Sequence, residues 1–213
     1  MERIKRMKFK NFSLKVGNKK LFDDVNIEFS SGISHLIGRN GSGKSCLVKT
    51  LEKRFDYSGE VCATDFVIIA SYSNIPSDLK WSDLERVLNN DKCFIDKLKD
   101  TLNMQNIDKN IQISKLSDGQ KQKLKLLFYL MKKPKIIIFD EFTNGLDKQT
   151  TLELYKFIKN YINEFKETIC LNITHNMADL SELEGKYYLI ENNNIKEYKN
   201  KEIVIEKYIK GDI

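Results

Sequence analysis

Gly38, Arg39, Asn40, Gly41, Ser42, Gly43, Lys44 and Ser45 run consecutively in this sequence and fit the pattern G-x-x-x-x-G-K-[ST] in full. Each residue type has a physical task. Glycines let the backbone curl so that successive N–H groups point inward at an anion, and a helix beginning at Lys44 adds the positive end of its dipole. A lysine here reaches terminal phosphate oxygens as a mobile point charge, and the serine hydroxyl after it is a ligand for Mg²⁺. A second stretch supplies what the first lacks. Lys135, Ile136, Ile137, Ile138 and Phe139 read as a buried strand that ends in Asp140 and Glu141. Ligands of open α/β sheets collect at the C-terminal ends of the strands, so Asp140 is placed to hold Mg²⁺ directly or through water. Side chains adjacent on a strand point to opposite sides, which leaves Glu141 to face an attacking water.

These groups need strands and helices to position them, and hydrophobic periodicity supplies both. Residues 4–12 alternate loosely, Gly17-Asn18 signals a turn, and residues 25–29 alternate strictly, so the first thirty residues are expected to be β-structure. An apolar strand at 34–37, with His35 as a structural residue, runs into the glycine-rich turn and a helix at 44–53. A second buried strand spans 66–70. Residues 81–104 read as helical, with Leu84, Val87 and Leu88 on one face and Phe94, Ile95 and Leu98 on another. Ser117 caps a long helix carrying Leu124, Leu127, Phe128 and Met131, which Pro134 stops. Then follow the 135–139 strand, a helix at 148–165, a strand at 168–173 and a short helix near 177–183. A hairpin across Asn192-Asn193-Asn194 and a helix from Glu202 complete the pattern. Several strands are apolar throughout, which predicts an α/β protein with a parallel sheet covered on both faces.

Composition bounds the function classes. With 213 residues, 41% of them hydrophobic, the chain can bury a sizeable core, which excludes disorder. Its 36 Lys and Arg exceed its 30 Asp and Glu, for a net charge of +6, but the basic residues are scattered among acids. A mixed, solvated surface is expected, not a nucleic-acid stripe. No apolar run approaches the ~20 residues that span a bilayer, and Lys8, Lys10 and Asn11 interrupt any signal-peptide core. Cys46, Cys62, Cys93 and Cys170 lack metal-binding spacing and have two histidines for company, so reduced thiols of a cytoplasmic protein are expected. Any membrane role then passes through a partner.

Leu116, Ser117, Asp118, Gly119 and Gln120 stand upstream of the Asp-Glu strand, and Asn144-Gly145-Leu146-Asp147 and His175 follow it. In this order, with the phosphate loop, they resemble the motifs of the ATP-binding-cassette (ABC) ATPases, and the resemblance covers nearly the whole chain. It implies an ABC-type P-loop NTPase: one nucleotide-binding domain over 1–213, with a mostly parallel core sheet flanked by helices. An N-terminal antiparallel β-region and a shortened helical subdomain at roughly 75–133 complete that fold. ATP and Mg²⁺ are the implied ligands.

The resemblance also assigns residues. ATP is implied to contact residues 38–46, including Cys46, and Val16, which stands where the family usually stacks an aromatic on adenine; Phe12 and Phe22 are the aromatic substitutes at hand. Ser45, Asp140 and Asn74 are the implied metal residues, Asn74 in place of a usual glutamine. Lys44, Glu141 and His175 form the implied catalytic set, with His175 orienting the water near Glu141. Ser117, Gly119, Gln120 and Asp147 are implied to act on the nucleotide of a second ABC ATPase subunit, in a head-to-tail homo- or heterodimer. Phe142 stands where proline usually follows the glutamate, and Asp118 where glycine is common. The implied activity is ATP hydrolysis that energises a transmembrane permease on a separate chain, docked near residues 72–79. The alternative is a soluble ABC-type ATPase acting on nucleic acid, ribosomes or complex assembly.

Overall fold

The computed structural model describes residues 7–70, 75–87 and 91–211, the side chains at 85 and 87 excepted. Alternating burial along the N-terminal strands sets the first sheet. β1 (Met7–Val16) and β2 (Lys19–Phe29) form an antiparallel hairpin that buries Phe9, Phe12, Leu14, Phe22 and Val25. β3 (Gly32–Ile37) leaves for a second sheet, and after α1 (Lys44–Leu51) the chain returns as β4 (Tyr57–Ala63) on the free side of β1, for the order β2-β1-β4. Periodicity gave no sign of β4. It is an edge strand with no buried residue, so no apolar alternation marks it. Gly59 fits there because a Cβ would lie 2.3 Å from the Asn11 carbonyl oxygen, beside a register shift in β1.

The second sheet carries the order β5-β6-β7-β3-β8-β9. β5 (Phe66–Ala70), β6 (Ile136–Asp140), β7 (Ile169–Thr174) and β8 (Lys186–Glu191) join β3, and β9 (Asn194–Tyr198) returns antiparallel from β8. β6, β7, β3 and β8 are mutually parallel. Leu36, Ile37, Ile136, Ile138, Leu171 and Ile173 are fully enclosed, as expected of strands covered on both faces. α6 (Met177–Glu182) follows β7, and α7 (Lys201–Lys210) packs Val204 against Ile37, Leu180 and Leu189.

Contacts divide the chain into two compact units. One comprises Met1–Ile68, Lys135–Glu141 and Phe165–Ile213; the other comprises Ile69–Pro134 and Phe142–Glu164. The second is helical. In it α2 (Trp81–Val87) and α3 (Lys92–Thr101) form within the stretch 81–104 expected to be helical with two apolar faces. Asp91 starts α3 afresh, its Oδ1 accepting from the Phe94 N–H at 3.1 Å, which is why the apolar face changed along that stretch. A 3₁₀ turn, Ile113–Lys115, leads to α4 (Asp118–Leu130), and α5 (Lys148–Glu164) lies against α4, with the Tyr161 hydroxyl donating to the Leu130 carbonyl at 3.1 Å.

Candidate functional site

β6, β7 and β3 lie side by side in parallel register, with Asp140 opposite Ile173 and Ile37 opposite Thr174. The segments that leave them, residues 38–43, Glu141 and His175, therefore emerge together at one sheet edge. Gly43, at φ 103°, precedes α1, whose first turn has neither a side-chain cap nor an acidic residue. Its leading N–H groups keep their partial positive charge for an anion. Only glycine fits position 43, because a Cβ there would sit 2.9 Å from the Phe22 ring. Lys44 is buried, and its Nζ donates to the carbonyls of Gly38 at 2.6 Å and Arg39 at 3.0 Å. Burial lowers its pKa, and the nearby Glu141 and Asp140 charges oppose that shift. Ser42 Oγ is enclosed without a hydrogen-bond partner. A curled backbone, a buried ammonium held by neutral carbonyls and an unused hydroxyl fit a polyphosphate.

Asp140 ends β6 and is 3% exposed. Burial raises its pKa, although a hydrogen bond from Ser45 Oγ to Oδ1 at 3.5 Å pulls the other way. A buried carboxylate beside a hydroxyl offers the hard oxygen donors that Mg²⁺ prefers, so these residues fit that ion. Glu141 departs from the expectation of simple strand alternation. The strand ends at Asp140, and Glu141 takes a left-handed backbone, φ 54°, with its N–H donating to the Ile173 carbonyl at 2.9 Å. A glutamate in that conformation is strained, and such strain concentrates at functional sites. Glu141 Oε1 lies 2.9 Å from His175 Nδ1, and both side chains are partly open to solvent.

The second unit holds the other motif residues. Ser117 and Gln120 form a reciprocal capping box: Ser117 Oγ accepts from the Gln120 N–H at 3.2 Å, and Gln120 Oε1 accepts from the Ser117 N–H at 3.0 Å. Asp147 accepts from Thr150 at the start of α5, from its N–H at 2.9 Å and its hydroxyl at 2.6 Å. Gly119 lies against that same Thr150, whose Cγ2 would be 2.9 Å from an added Cβ. Thr150 thus joins two motifs that sequence reasoning held apart. It carries no motif signature, and only its place three residues after Asp147 hinted at the role.

Arg39, Asn40 and Gly41 are exposed, Lys19 Nζ donating to the Gly41 carbonyl at 2.9 Å; Cys46 is a half-buried free thiol in α1. Val16 ends β1, half-buried, opposite Lys19. Phe12 and Phe22 cannot serve as base-stacking substitutes, because both are fully buried with their ring centroids 5.7 Å apart. Asn74 and Tyr72 lie outside the described residues. His35 is fully buried, as expected of a structural histidine.

A phosphate loop, a buried lysine and a strand-end carboxylate on one edge of a parallel sheet define a P-loop nucleotide-binding protein. The family described as "ABC transporter" matches residues 22–144. The "Probable peptide export ATP-binding protein YydI" of Bacillus subtilis (strain 168) is 43% identical over 207 residues, 95% of this chain and 99% of that protein. The "Zinc import ATP-binding protein ZnuC" of Buchnera aphidicola subsp. Baizongia pistaciae (strain Bp) is 29% identical over 177 residues, 79% of this chain and 73% of that one. A solved structure described as "Structure of ATP binding subunit of ABC transporter" shares the fold at a TM-score of 0.79 and 17% identity, covering 96% of this chain and 94% of that one. The chain belongs to the ABC transporter family and is an ATP-binding, ATP-hydrolysing subunit. Among the described residues no helix is long and apolar enough to cross a membrane.

Proposed function

We propose that this chain binds MgATP on its phosphate loop, pairs head-to-tail with a second ABC ATPase subunit, and by hydrolysis energises a peptide-exporting permease carried on a separate chain. The peptide class rests on the printed name of the Bacillus relative, which is matched over nearly its full length. The chain would act as one nucleotide-binding domain over 1–213, with its helical subdomain at about 75–133, on the cytoplasmic side of the membrane.

Each residue has a physical assignment. Lys44 and the amides of 38–46 hold the phosphates, and Lys44 exchanges its carbonyl partners for phosphate oxygens. Ser45 and Asp140, with Asn74 as a third candidate, would hold Mg²⁺, which when bound supplies charge neutralisation on the phosphate oxygens. The Glu141 carboxylate accepts a hydrogen bond from the attacking water and orients it, and His175, 2.9 Å away, holds that carboxylate and reaches toward the terminal phosphate. Val16 covers the base without stacking on it. Ser117, Gly119, Gln120 and Asp147 of one subunit complete the site of the other. Their local hydrogen bonds already rigidify two helix starts, so they present preformed surfaces. Closure is then stabilised by nucleotide contacts available only in the dimer, which is how binding can move a partner.

One observation carries this reading: an uncapped helix start with a buried lysine shares an edge with a strained glutamate touching a histidine. The test is Glu141→Gln, which keeps size but removes the charge. ATP turnover should fall at least ~100-fold while the Kd for ATP stays within about threefold of wild type. Undiminished turnover by this variant would contradict the assignment.

A further inference from the structure

Three polar side chains sit where the sheet packs on α6, and the site described above makes no use of them. His35 on β3, Asn172 on β7 and Asp179 on α6 are each 0% exposed. His35 and Asn172 are register partners on adjacent parallel strands, and His35 also stacks on its other register partner, Tyr187 of β8, with ring planes 11° apart. Apolar residues would fill this position at less cost, since a buried polar group is tolerated only when hydrogen-bonded.

The partners fix the bonding. His35 Nε2 lies 2.8 Å from the Leu183 carbonyl, which can only accept, so Nε2 carries the ring proton. Nδ1 is then an acceptor, and it receives one hydrogen of the Asn172 amide at 3.2 Å. The same Nδ2 donates to Asp179 Oδ2 at 3.3 Å. Turning the amide over would aim its oxygen at two acceptors, so this orientation is the one the surroundings allow, even though it leaves Asn172 Oδ1 unpartnered. Burial holds the His35 pKa below the ordinary histidine value, which keeps the ring neutral and the pattern intact.

The sequence positions give the network its meaning. Asn172 and Asp179 bracket His175, so their hydrogen bond closes the ends of the turn from which the His175 imidazole reaches Glu141. His35 ties that closed turn to β3, the strand whose next residue after Ile37 opens the phosphate loop. We infer that His35, Asn172 and Asp179 are positioning residues for His175, a buried clasp that sets the imidazole against Glu141 and in register with the phosphate loop. The inference rests on the reading of His175 and Glu141 given above.

Because the chain has two histidines, long-range ¹H–¹⁵N spectra of the whole protein report each ring separately. Asn172→Leu keeps the side-chain shape and removes the amide. Its expected effects are a shift of the His175 ring signals and a fall in turnover of roughly tenfold at saturating ATP, with KM within about twofold. In a His175→Ala background the same substitution should lower turnover by less than about twofold, because the two changes act through one group. Asp179→Asn, which keeps an acceptor oxygen for the Asn172 amide, should stay within about threefold of wild type and retain the His175 signals; it also serves if Asn172→Leu fails to unfold cooperatively. Unmoved His175 signals in Asn172→Leu, an equal loss with and without His175, or an Asp179→Asn variant that loses the His175 signals would overturn the clasp. If His175→Ala itself leaves turnover unchanged, the reading of the site fails instead, and the ring spectra still decide whether the clasp positions the imidazole.

Discussion

The two units treat their motif residues in opposite ways. In the first, Lys44 and Asp140 are buried, their pKa values are pushed in opposite directions by desolvation, and Glu141 adopts a left-handed backbone. In the second, Ser117 and Asp147 are exposed and already satisfied, one by a capping box and the other by Thr150. Burying charged groups costs desolvation that their hydrogen bonds only partly offset and is tolerated where a ligand will interact with them, whereas an exposed, finished helix cap carries no such penalty and presents a surface. Under the proposed function the difference has a reason: the first unit's residues await a nucleotide, and the second unit's residues present a preformed surface to the nucleotide of a partner.

Substitutions can break that contrast, beginning with the largest expected effect. Lys44→Ala removes the buried ammonium and should weaken MgATP binding by ~100-fold or more in calorimetry, with the thermal midpoint little lowered, since the charge was poorly solvated. Gly43→Ala should approach that loss, because the new Cβ meets Phe22 at a backbone angle alanine resists. It should also lower stability in urea. Ser117→Ala ought to behave otherwise, with a loss of about 1 kcal/mol in urea unfolding from the broken cap and unchanged ATP affinity in dilute protein. The smallest effect concerns Asp147, whose carboxyl Thr150 holds below the ordinary carboxylate range. A depressed folded pKa gives stabilisation that is present above the unfolded value and lost as pH falls through the folded one. The difference in melting temperature between wild type and Asp147→Ala should therefore be flat near neutral pH and vanish well below about pH 4.

Much of this was legible before any coordinates, because strong local signals carried it. The glycine spacing at 38–45 and the apolar runs at 34–37, 66–70 and 135–139 located the loop and its flanking strands within a residue or two. Periodicity is silent on β4, where an edge position leaves nothing to alternate, and the change of apolar face along 81–104 gives no boundary between α2 and α3, which the Asp91 cap sets. The apolar run makes Glu141 look like a strand residue, and its left-handed turn depends on tertiary hydrogen bonding that spacing cannot express. His35 was legible as structural, but its pairing with Asn172 required the sheet order, a non-local property.

The contrast between the halves is tested most directly by sedimentation of Glu141→Gln with saturating MgATP. The account predicts a dimer of the 24.9 kDa chain, and a monomer that still binds the nucleotide when Ser117→Arg is added. A nucleotide-loaded Glu141→Gln that stays monomeric, or a dimer indifferent to arginine at 117, would contradict it.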